Sequence, residues 1–180
     1  MAAAKKSLCQ GEPGGESGGG MSKSVSIVIA EDRTMLRDCI SLLVSSQPHW
    51  KVVGEAGDGL ETIRLVQKLS PDLVLMDLSM PKMTGLDAIK DIKKNAPQTK
   101  IIVVTMHDTE EYILAALQAG ADGYVLKSDP SIKLLMAIRE VLDGRCYLSP
   151  SISSATIELL LEGKKDRAIR SACETVIQPH

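Results

Sequence analysis

Polar side chains that could do chemistry follow four apolar runs of the sequence, each at the point where the run ends. Asp77 comes directly after Leu73–Met76, and the chain then turns through Pro81 toward Gly85. In open α/β sheets, ligands bind at the carboxyl ends of the strands. We therefore expect Asp77 to share a site with the residues that end the other three runs, which are Glu31 and Asp32, Thr105, and Lys127.

These five residues combine carboxylates, a hydroxyl and an ammonium group. The carboxylates of Glu31, Asp32 and Asp77 would repel one another if they were bare, so such a cluster either raises a pKa or binds a cation. Oxygen ligands without histidine or cysteine suit a hard ion, and Mg²⁺ with retained waters fits this set best. Lys127 and Thr105 would complete a cradle for a phosphoryl group, which an aspartate can accept as an acyl phosphate. The set therefore predicts a magnesium-dependent phosphoryl site.

The apolar runs alternate with segments of helical periodicity, and together they predict how the site is positioned. Leu36, Ile40 and Leu43 fall on one helical face, and comparable faces follow the later runs. Helix-length connections between buried strands imply parallel pairing with right-handed crossovers. Five such units predict an α/β fold of the flavodoxin-like class, a doubly wound parallel sheet in the order 2-1-3-4-5. The predicted strands cover residues 25–30, 51–56, 72–77, 100–105 and 122–126.

Local signals mark the ends of helices and of the domain. Asp58 and Thr84 are predicted N-caps, and Pro97 and Gly144 are predicted stop signals. We expect a flexible Gly-rich extension, then one central domain, then a linker with a short helical tail. These three parts cover residues 1–22, 23–146 and 147–180.

Composition excludes several classes of function. The 180 residues carry a net charge of −2, so no global basic field favours nucleic acid or an anionic membrane. No apolar run approaches the length of a membrane span, which is about 18 residues. The four cysteines form no CxxC pair, which argues against a zinc site or a disulfide framework and favours a cytoplasmic location.

Four segments, each at a predicted strand end, resemble the motifs of response-regulator receiver domains from two-component systems. Met76–Ile89 is similar to their phosphorylation motif, and Glu31 with Asp32 is similar to their acidic pair. Thr105 resembles their switch hydroxyl, and Gly123–Lys127 resembles their strand that carries an aromatic residue and a lysine. The resemblance implies a CheY-like fold and makes the central domain a receiver.

The resemblance continues beyond the predicted fifth helix. Gly144–Pro150 is similar to the end of the receiver in the NarL/FixJ subfamily, just before its linker. Members of that subfamily usually carry a helix-turn-helix DNA-binding domain after the linker. The 30 residues after Pro150 are too few for such a domain, so we expect it to be absent from this chain.

The resemblance also implies a role for each residue at the phosphoryl site. Asp77 would be the phosphoacceptor, and Asp32, Asp77 and the backbone carbonyl of Ser79 would hold Mg²⁺. Glu31 would act on the metal through water. Lys127 would contact phosphate oxygens, and Thr105 would hydrogen-bond one of them.

A switch is implied in the same way. As Thr105 moves, Tyr124 would swing inward and reshape the surface formed by the fourth helix, the fifth strand and the fifth helix. His107, at the rim beyond Thr105, leads us to the hypothesis that it modulates the access of attacking water. An equally simple interpretation is a solvated loop histidine.

The resemblance implies a phosphorelay response regulator with a protein as its phosphoryl donor. A sensor histidine kinase or phosphotransfer protein would supply the phosphoryl group, and phosphorylation would control partner binding or homodimerisation. The chain would not be an enzyme beyond its own phosphorylation and dephosphorylation, and it would not bind nucleic acid directly. The alternative is a receiver fragment of a DNA-binding transcription regulator. A degenerate receiver with a structural role is disfavoured because every matching position is filled.

Overall fold

The computed structural model describes residues 24–152, which form a parallel sheet with helices on both faces. The strands are β1 (Val25–Ala30), β2 (Trp50–Ala56), β3 (Leu73–Met76), β4 (Lys100–Thr105), β5 (Gly123–Leu126) and β6 (Tyr147–Leu148). The helices are α1 (Thr34–Ser45), α2 (Gly59–Leu69), α3 (Gly85–Asn95), α4 (Glu110–Ala119) and α5 (Ser131–Leu142). No helix within these residues has both the length and the apolar character to cross a membrane.

The strands lie in the order β2-β1-β3-β4-β5-β6, and every neighbouring pair is parallel. The predicted flavodoxin-like order 2-1-3-4-5 is therefore confirmed, and a sixth strand is added at the β5 edge. The direction of winding reverses between β1 and β3, which is the point where doubly wound sheets open a crevice at the carboxyl ends of their strands. The predicted extension, residues 1–22, lies outside the described residues, and so does most of the predicted tail.

The added strand β6 lies at the start of the segment that was predicted to be a linker. Gly144 has a φ of 83° and lets the chain turn back after α5. Tyr147 then pairs with Gly123, and Leu148 pairs with Tyr124. The segment that begins with β6 packs onto the sheet as far as Ile152, which is 5% exposed.

The core has two layers because the central strands are buried on both faces. Ile27 and Ile29 of β1 point to the layer under α1 and α5, whereas Val28 and Ala30 point to the layer under α2, α3 and α4. This alternation explains why the strands read as unbroken apolar runs in the sequence, since both faces of a parallel sheet are covered by helices. The same rigid layers fix the positions of the residues at the strand ends.

Helix N-termini pack tightly against the carboxyl ends of the strands. The predicted N-caps are confirmed, because the side chain of Asp58 accepts from the Glu61 N–H at 2.8 Å and that of Thr84 accepts from the Asp87 N–H at 3.3 Å. At the start of α3, a Cβ on Gly85 would lie 2.1 Å from the carbonyl oxygen of Asp77. Only glycine permits this approach, which brings α3 directly beside the end of β3.

Candidate functional site

Backbone hydrogen bonds continue past the strand ends and fix the residues that follow them. The N–H of Glu31 donates to Ala56 at 3.0 Å, and the N–H of Asp77 donates to Ala30 at 2.9 Å. The Arg37 guanidinium also donates to the carbonyl oxygen of Glu31 at 2.6 Å. The backbone at Glu31 and at Asp77 is therefore held by hydrogen bonds to the sheet, and that of Glu31 also by Arg37 of α1.

The three predicted carboxylates form a cluster at this edge of the sheet. Each of Glu31, Asp32 and Asp77 offers an oxygen within 4.8 Å of the others. Glu31 and Asp77 are buried, whereas Asp32 is exposed. Carboxylate oxygens at this spacing can bind one cation, and oxygen ligands suit a hard divalent ion.

Lys127 closes the inner side of the cluster. Its ammonium lies 2.6 Å from Glu31 Oε2 and 2.8 Å from Asp77 Oδ2, and the three side chains are 7%, 2% and 5% exposed. Counting Asp32, the site has three carboxylates against the Lys127 ammonium and the Arg33 guanidinium at the cavity wall, so one negative charge remains in excess. That excess favours a further cation at the site.

The buried position of Glu31 changes its acidity. Burial raises the pKa of the Glu31 carboxyl above its ordinary value, and the nearby charge of Asp77 acts in the same direction. The hydrogen bond and charge of Lys127 lower the pKa, as does the Arg33 N–H that donates to Glu31 Oε1 at 3.2 Å, but burial is the largest effect.

One oxygen of Asp77 has no partner among the described residues. Oδ2 accepts from Lys127, but Oδ1 is buried and unpaired. A buried carboxylate oxygen normally has a hydrogen-bond donor or a metal ion beside it, because leaving it bare costs free energy. The donor set of the site and this unpaired oxygen both fit a Mg²⁺ ion.

A cavity of about 240 Å³ opens in front of the cluster. The fully buried Thr105 contributes to its wall, and its hydroxyl oxygen accepts from the His107 N–H at 3.4 Å. The N–H of Lys127 donates to the carbonyl of Thr105 at 2.8 Å, which ties the ends of β4 and β5 together. The cavity is lined by Asp32, Arg33, Asp77, Ser79, Thr105, Met106, His107 and Lys127.

The rim of the cavity is linked to the interior through His107. Its Nε2 lies 2.7 Å from the hydroxyl of Ser79, and its ring stacks on Tyr112 with centroids 3.9 Å apart. The Tyr124 hydroxyl donates to the carbonyl oxygen of His107 at 2.8 Å. Tyr124 is fully buried and already points inward, and this burial raises the pKa of its hydroxyl.

Comparison with known proteins assigns the chain to one family. Residues 27–139 match the response regulator receiver domain. The chain belongs to this family. The oxygen regulatory protein NreC of Staphylococcus aureus is 40% identical over 144 residues, which are 79% of this chain and 66% of NreC. The transcriptional regulatory protein DegU of Brevibacillus brevis is 34% identical over 134 residues, or 74% of this chain and 57% of DegU.

Solved receiver structures share the fold. A LuxR-family two-component response regulator from Aurantimonas sp. SI85-9A1 is 34% identical with a TM-score of 0.73, covering 77% of this chain and 99% of its own. A second structure is the isolated REC domain of RcsB from Salmonella enterica serovar Typhimurium, solved with the phosphomimetic BeF3⁻. It is 28% identical with a TM-score of 0.69, and the match covers 74% of this chain and 99% of the REC domain. The receiver chain spans less than two thirds of NreC and of DegU.

The structure brings together Glu31, Asp32, Asp77, Ser79, Thr105 and Lys127 at the cluster and its cavity. Tyr124, also predicted, reaches the cavity wall through its hydrogen bond to the His107 carbonyl. Sequence reasoning missed two features of this receiver, the Arg33 side chain at the cavity wall and the Tyr112 ring beneath His107. Arg33 could have been found from its place directly after the acidic pair, since the same loop carries all three residues. The contact of Tyr112 depends on how α4 packs, and no spacing in the sequence predicts it.

Proposed function

We propose that this receiver is a phosphorylation-dependent switch in which Asp77 accepts a phosphoryl group. The observation that carries the proposal is the asymmetry of the Asp77 carboxylate, with Oδ2 bound to Lys127 and Oδ1 unpaired. An oxygen that is buried, unpaired and beside a cavity is available to a metal ion or a reacting group, whereas a structural carboxylate has its hydrogen bonds satisfied.

The proposed donor is a phosphohistidine of a sensor histidine kinase or phosphotransfer protein. An Asp77 carboxylate oxygen attacks phosphorus, the N–P bond breaks, and an acyl phosphate forms while the histidine nitrogen leaves with the electron pair. Lys127 binds phosphate oxygens during this transfer, and the hydroxyl of Thr105 donates to one of them. The reaction modifies the receiver itself. We therefore propose that the receiver does not act as an enzyme on a separate substrate.

The residues that would hold Mg²⁺ are the predicted ones. Asp32 and Asp77 would supply side-chain oxygens, Ser79 its backbone carbonyl, and Glu31 a contact through water. When bound, the ion supplies positive charge that offsets the negative charge of the phosphoryl oxygens. Asp32 is exposed and can exchange an ion with solvent, whereas Glu31 is held by Lys127.

The switch that we propose acts through Thr105 and Tyr124. Tyr124 already lies inward, held by the His107 carbonyl, so phosphorylation would favour this arrangement over an outward one. A ligand shifts such an equilibrium only by its different affinity for the two states. Here the phosphoryl group would supply the difference by holding the hydroxyl of Thr105, and the surface of α4, β5 and α5 would respond.

His107 is proposed to control the lifetime of the phosphoryl group. Its bond to Ser79, at 2.7 Å, joins two residues that line the cavity, and the ring stacks on Tyr112. We propose that this pair restricts the approach of an attacking water. Loss of the acyl phosphate, followed over time, should be faster in His107→Ala, and an unchanged lifetime would contradict the idea.

The output of the switch is proposed from the relatives. DegU is described as a transcriptional regulatory protein, and one RcsB structure contains the protein bound to promoter P1flhDC. Another contains two RcsB dimers on two parallel DNAs. We propose that phosphorylation of this cytoplasmic receiver controls homodimerisation or partner binding. The second candidate is that it serves as the receiver part of a DNA-binding transcription regulator.

Incubation with acetyl phosphate and Mg²⁺, followed by intact mass measurement, tests the phosphoacceptor. We expect a gain of one phosphoryl group in the unaltered chain and none in Asp77→Asn or with a chelator. Asp143→Asn is the matched control, because this exposed aspartate lies outside the cavity. No gain under conditions that label a control receiver would overturn the proposal.

A further inference from the structure

A buried hydroxyl in the segment after α5 makes two hydrogen bonds to the loop that carries the site lysine. Ser149 is fully buried. Its hydroxyl donates to Asp129 Oδ2 and accepts from the Leu126 N–H at 3.0 Å. We call these contacts of Ser149 with Asp129 and Leu126 the Ser149 network. A hydroxyl has one proton to donate, so this arrangement uses it fully and also satisfies a buried backbone N–H.

The Ser149 network holds both ends of the turn in which Lys127 lies. Lys127 directly follows Leu126, and the N–H of Asp129 donates to the Leu126 carbonyl at 3.0 Å to close the turn. The backbone of Lys127 is held from the other side by Thr105 at 2.8 Å. The backbone hydrogen bonds at Leu126, Lys127 and Asp129 that hold this turn therefore lie directly beside the Ser149 network.

Ser149 is itself anchored to the sheet and the core. Its N–H donates to the carbonyl of Tyr124 at 2.9 Å, which extends the pairing of β6 with β5. Its carbonyl accepts from the N–H of Ile152 at 3.0 Å, and the Ile152 side chain is buried in the layer under α4. A displacement of this segment would consequently move the turn that carries Lys127, and a displacement of the turn would move Ile152.

We propose that Ser149 and Asp129 are positioning residues for Lys127, and that they couple the phosphoryl site to the segment around Ile152. The proposal rests on the proposed function of Asp77 and Lys127. Coupling between two sites is reciprocal. If the Ser149 network favours the position of Lys127 that binds phosphate oxygens, then a phosphoryl group at Asp77 stabilises the network by the same factor. This is a route by which the chain that follows Ile152 would sense phosphorylation.

Ser151 provides a matched control. Its hydroxyl donates to the other oxygen of Asp129 at 2.6 Å, but it is exposed and has no contact with Leu126. Ser149→Ala and Ser151→Ala therefore each remove one hydroxyl bound to Asp129. Only Ser149→Ala also removes the acceptor of the Leu126 N–H. Asp129→Ala, at a half-buried position, removes the carboxylate without opening a hole in the core.

Binding of beryllofluoride to the full chain in the presence of Mg²⁺, measured by calorimetry, tests the positioning role. Ser149→Ala and Asp129→Ala should weaken this binding about threefold to tenfold, which corresponds to the net free energy of about one hydrogen bond. Ser151→Ala should change it less than about twofold. Binding of Mg²⁺ alone should not weaken in any variant, because Lys127 does not hold the metal and its positive charge opposes that of the ion. A general loss of structure would instead weaken both ligands.

Hydrogen exchange tests the reciprocal effect. Beryllofluoride should slow exchange of the Leu126 and Ile152 amides in the unaltered chain, by the factor that Ser149→Ala loses in binding. If Ser149→Ala and Asp129→Ala bound beryllofluoride as tightly as Ser151→Ala does, the positioning role would be overturned. If beryllofluoride left the exchange of the Leu126 and Ile152 amides unchanged, the coupling would be overturned. Failure of the unaltered chain to bind, where a control receiver binds, overturns the proposed function and this inference with it. Should Ser149→Ala not fold, Asp129→Ala alone decides.

Discussion

Two lysines of this receiver lie at the same distance from a carboxylate but in different surroundings. Lys127 is 2.6 Å from Glu31 and its side chain is 7% exposed. Lys82 is 2.6 Å from Asp58 and its side chain is 67% exposed. The first pair lies at the centre of the phosphoryl site, and the second joins the β3–α3 loop to the N-terminus of α2.

The comparison shows that burial, more than distance, decides what an ion pair does. Water hydrates the Lys82 ammonium and screens this pair, although the Asp58 side chain is only 8% exposed, and pairs that are open to solvent contribute little to stability. The carboxylates around Lys127 have lost their water, so each depends on the lysine, and the loss of one partner leaves a buried charge uncompensated. The proposed exchange of a metal ion and a phosphoryl group would use this dependence, because a new charged ligand could replace an old one without leaving a buried charge uncompensated.

The largest expected effect is that of Lys127→Met. The substitution leaves Glu31 and Asp77 buried without a cation, and breaking a buried pair in this way costs about 3–5 kcal/mol. Urea unfolding at pH 7 with a chelator should show this loss. Added Mg²⁺ should recover part of it, since the ion supplies the missing positive charge. Equal stability of the variant and the unaltered chain without metal would contradict the importance of burial.

Asp32→Asn should have a smaller effect on stability and should affect mainly the metal. Asp32 is the exposed member of the acidic cluster, and its loss removes a ligand as well as a repulsive charge. Mg²⁺ at a hundred times its Kd should stabilise the unaltered chain by about 2.7 kcal/mol. The variant should lose most of this gain at the same concentration. Thermal unfolding with and without Mg²⁺ measures the stabilisation of the unaltered chain and of the variant. A full gain of stability in Asp32→Asn would exclude Asp32 as a ligand.

The sequence predicted that the site residues would meet, because the strand ends define where they lie. Asp77 and Thr105 each follow an apolar run, and parallel strands bring the ends of such runs to one edge. The pairing of Lys82 with Asp58 left no such signal, since it joins two loops through side chains alone. The Ser149 network was equally hidden. Strand β6 has two residues and no periodicity, and the role of Ser149 depends on where that strand lies.

The smallest expected effect is that of Lys82→Met, and it should depend on pH. The hydrogen bond from Lys82 is the largest cause that lowers the pKa of Asp58 below its ordinary value of 3.8. A lowered pKa means that ionised Asp58 stabilises the folded state above pH 3.8, and that this stabilisation is lost as the pH falls through the lower folded-state pKa. The variant should therefore be slightly less stable than the unaltered chain at pH 7 and equal to it at strongly acidic pH.

Salt separates this pair from the buried one. In 1 M NaCl the Debye length falls to about 3 Å, so the small difference between Lys82→Met and the unaltered chain at pH 7 should shrink. The larger loss in Lys127→Met should persist, because the solvent and its ions do not enter between Lys127 and its two carboxylates. Urea unfolding of both variants at low and high salt tests this. If the effects of the two substitutions fell in the same proportion, burial would not be what distinguishes the two lysines.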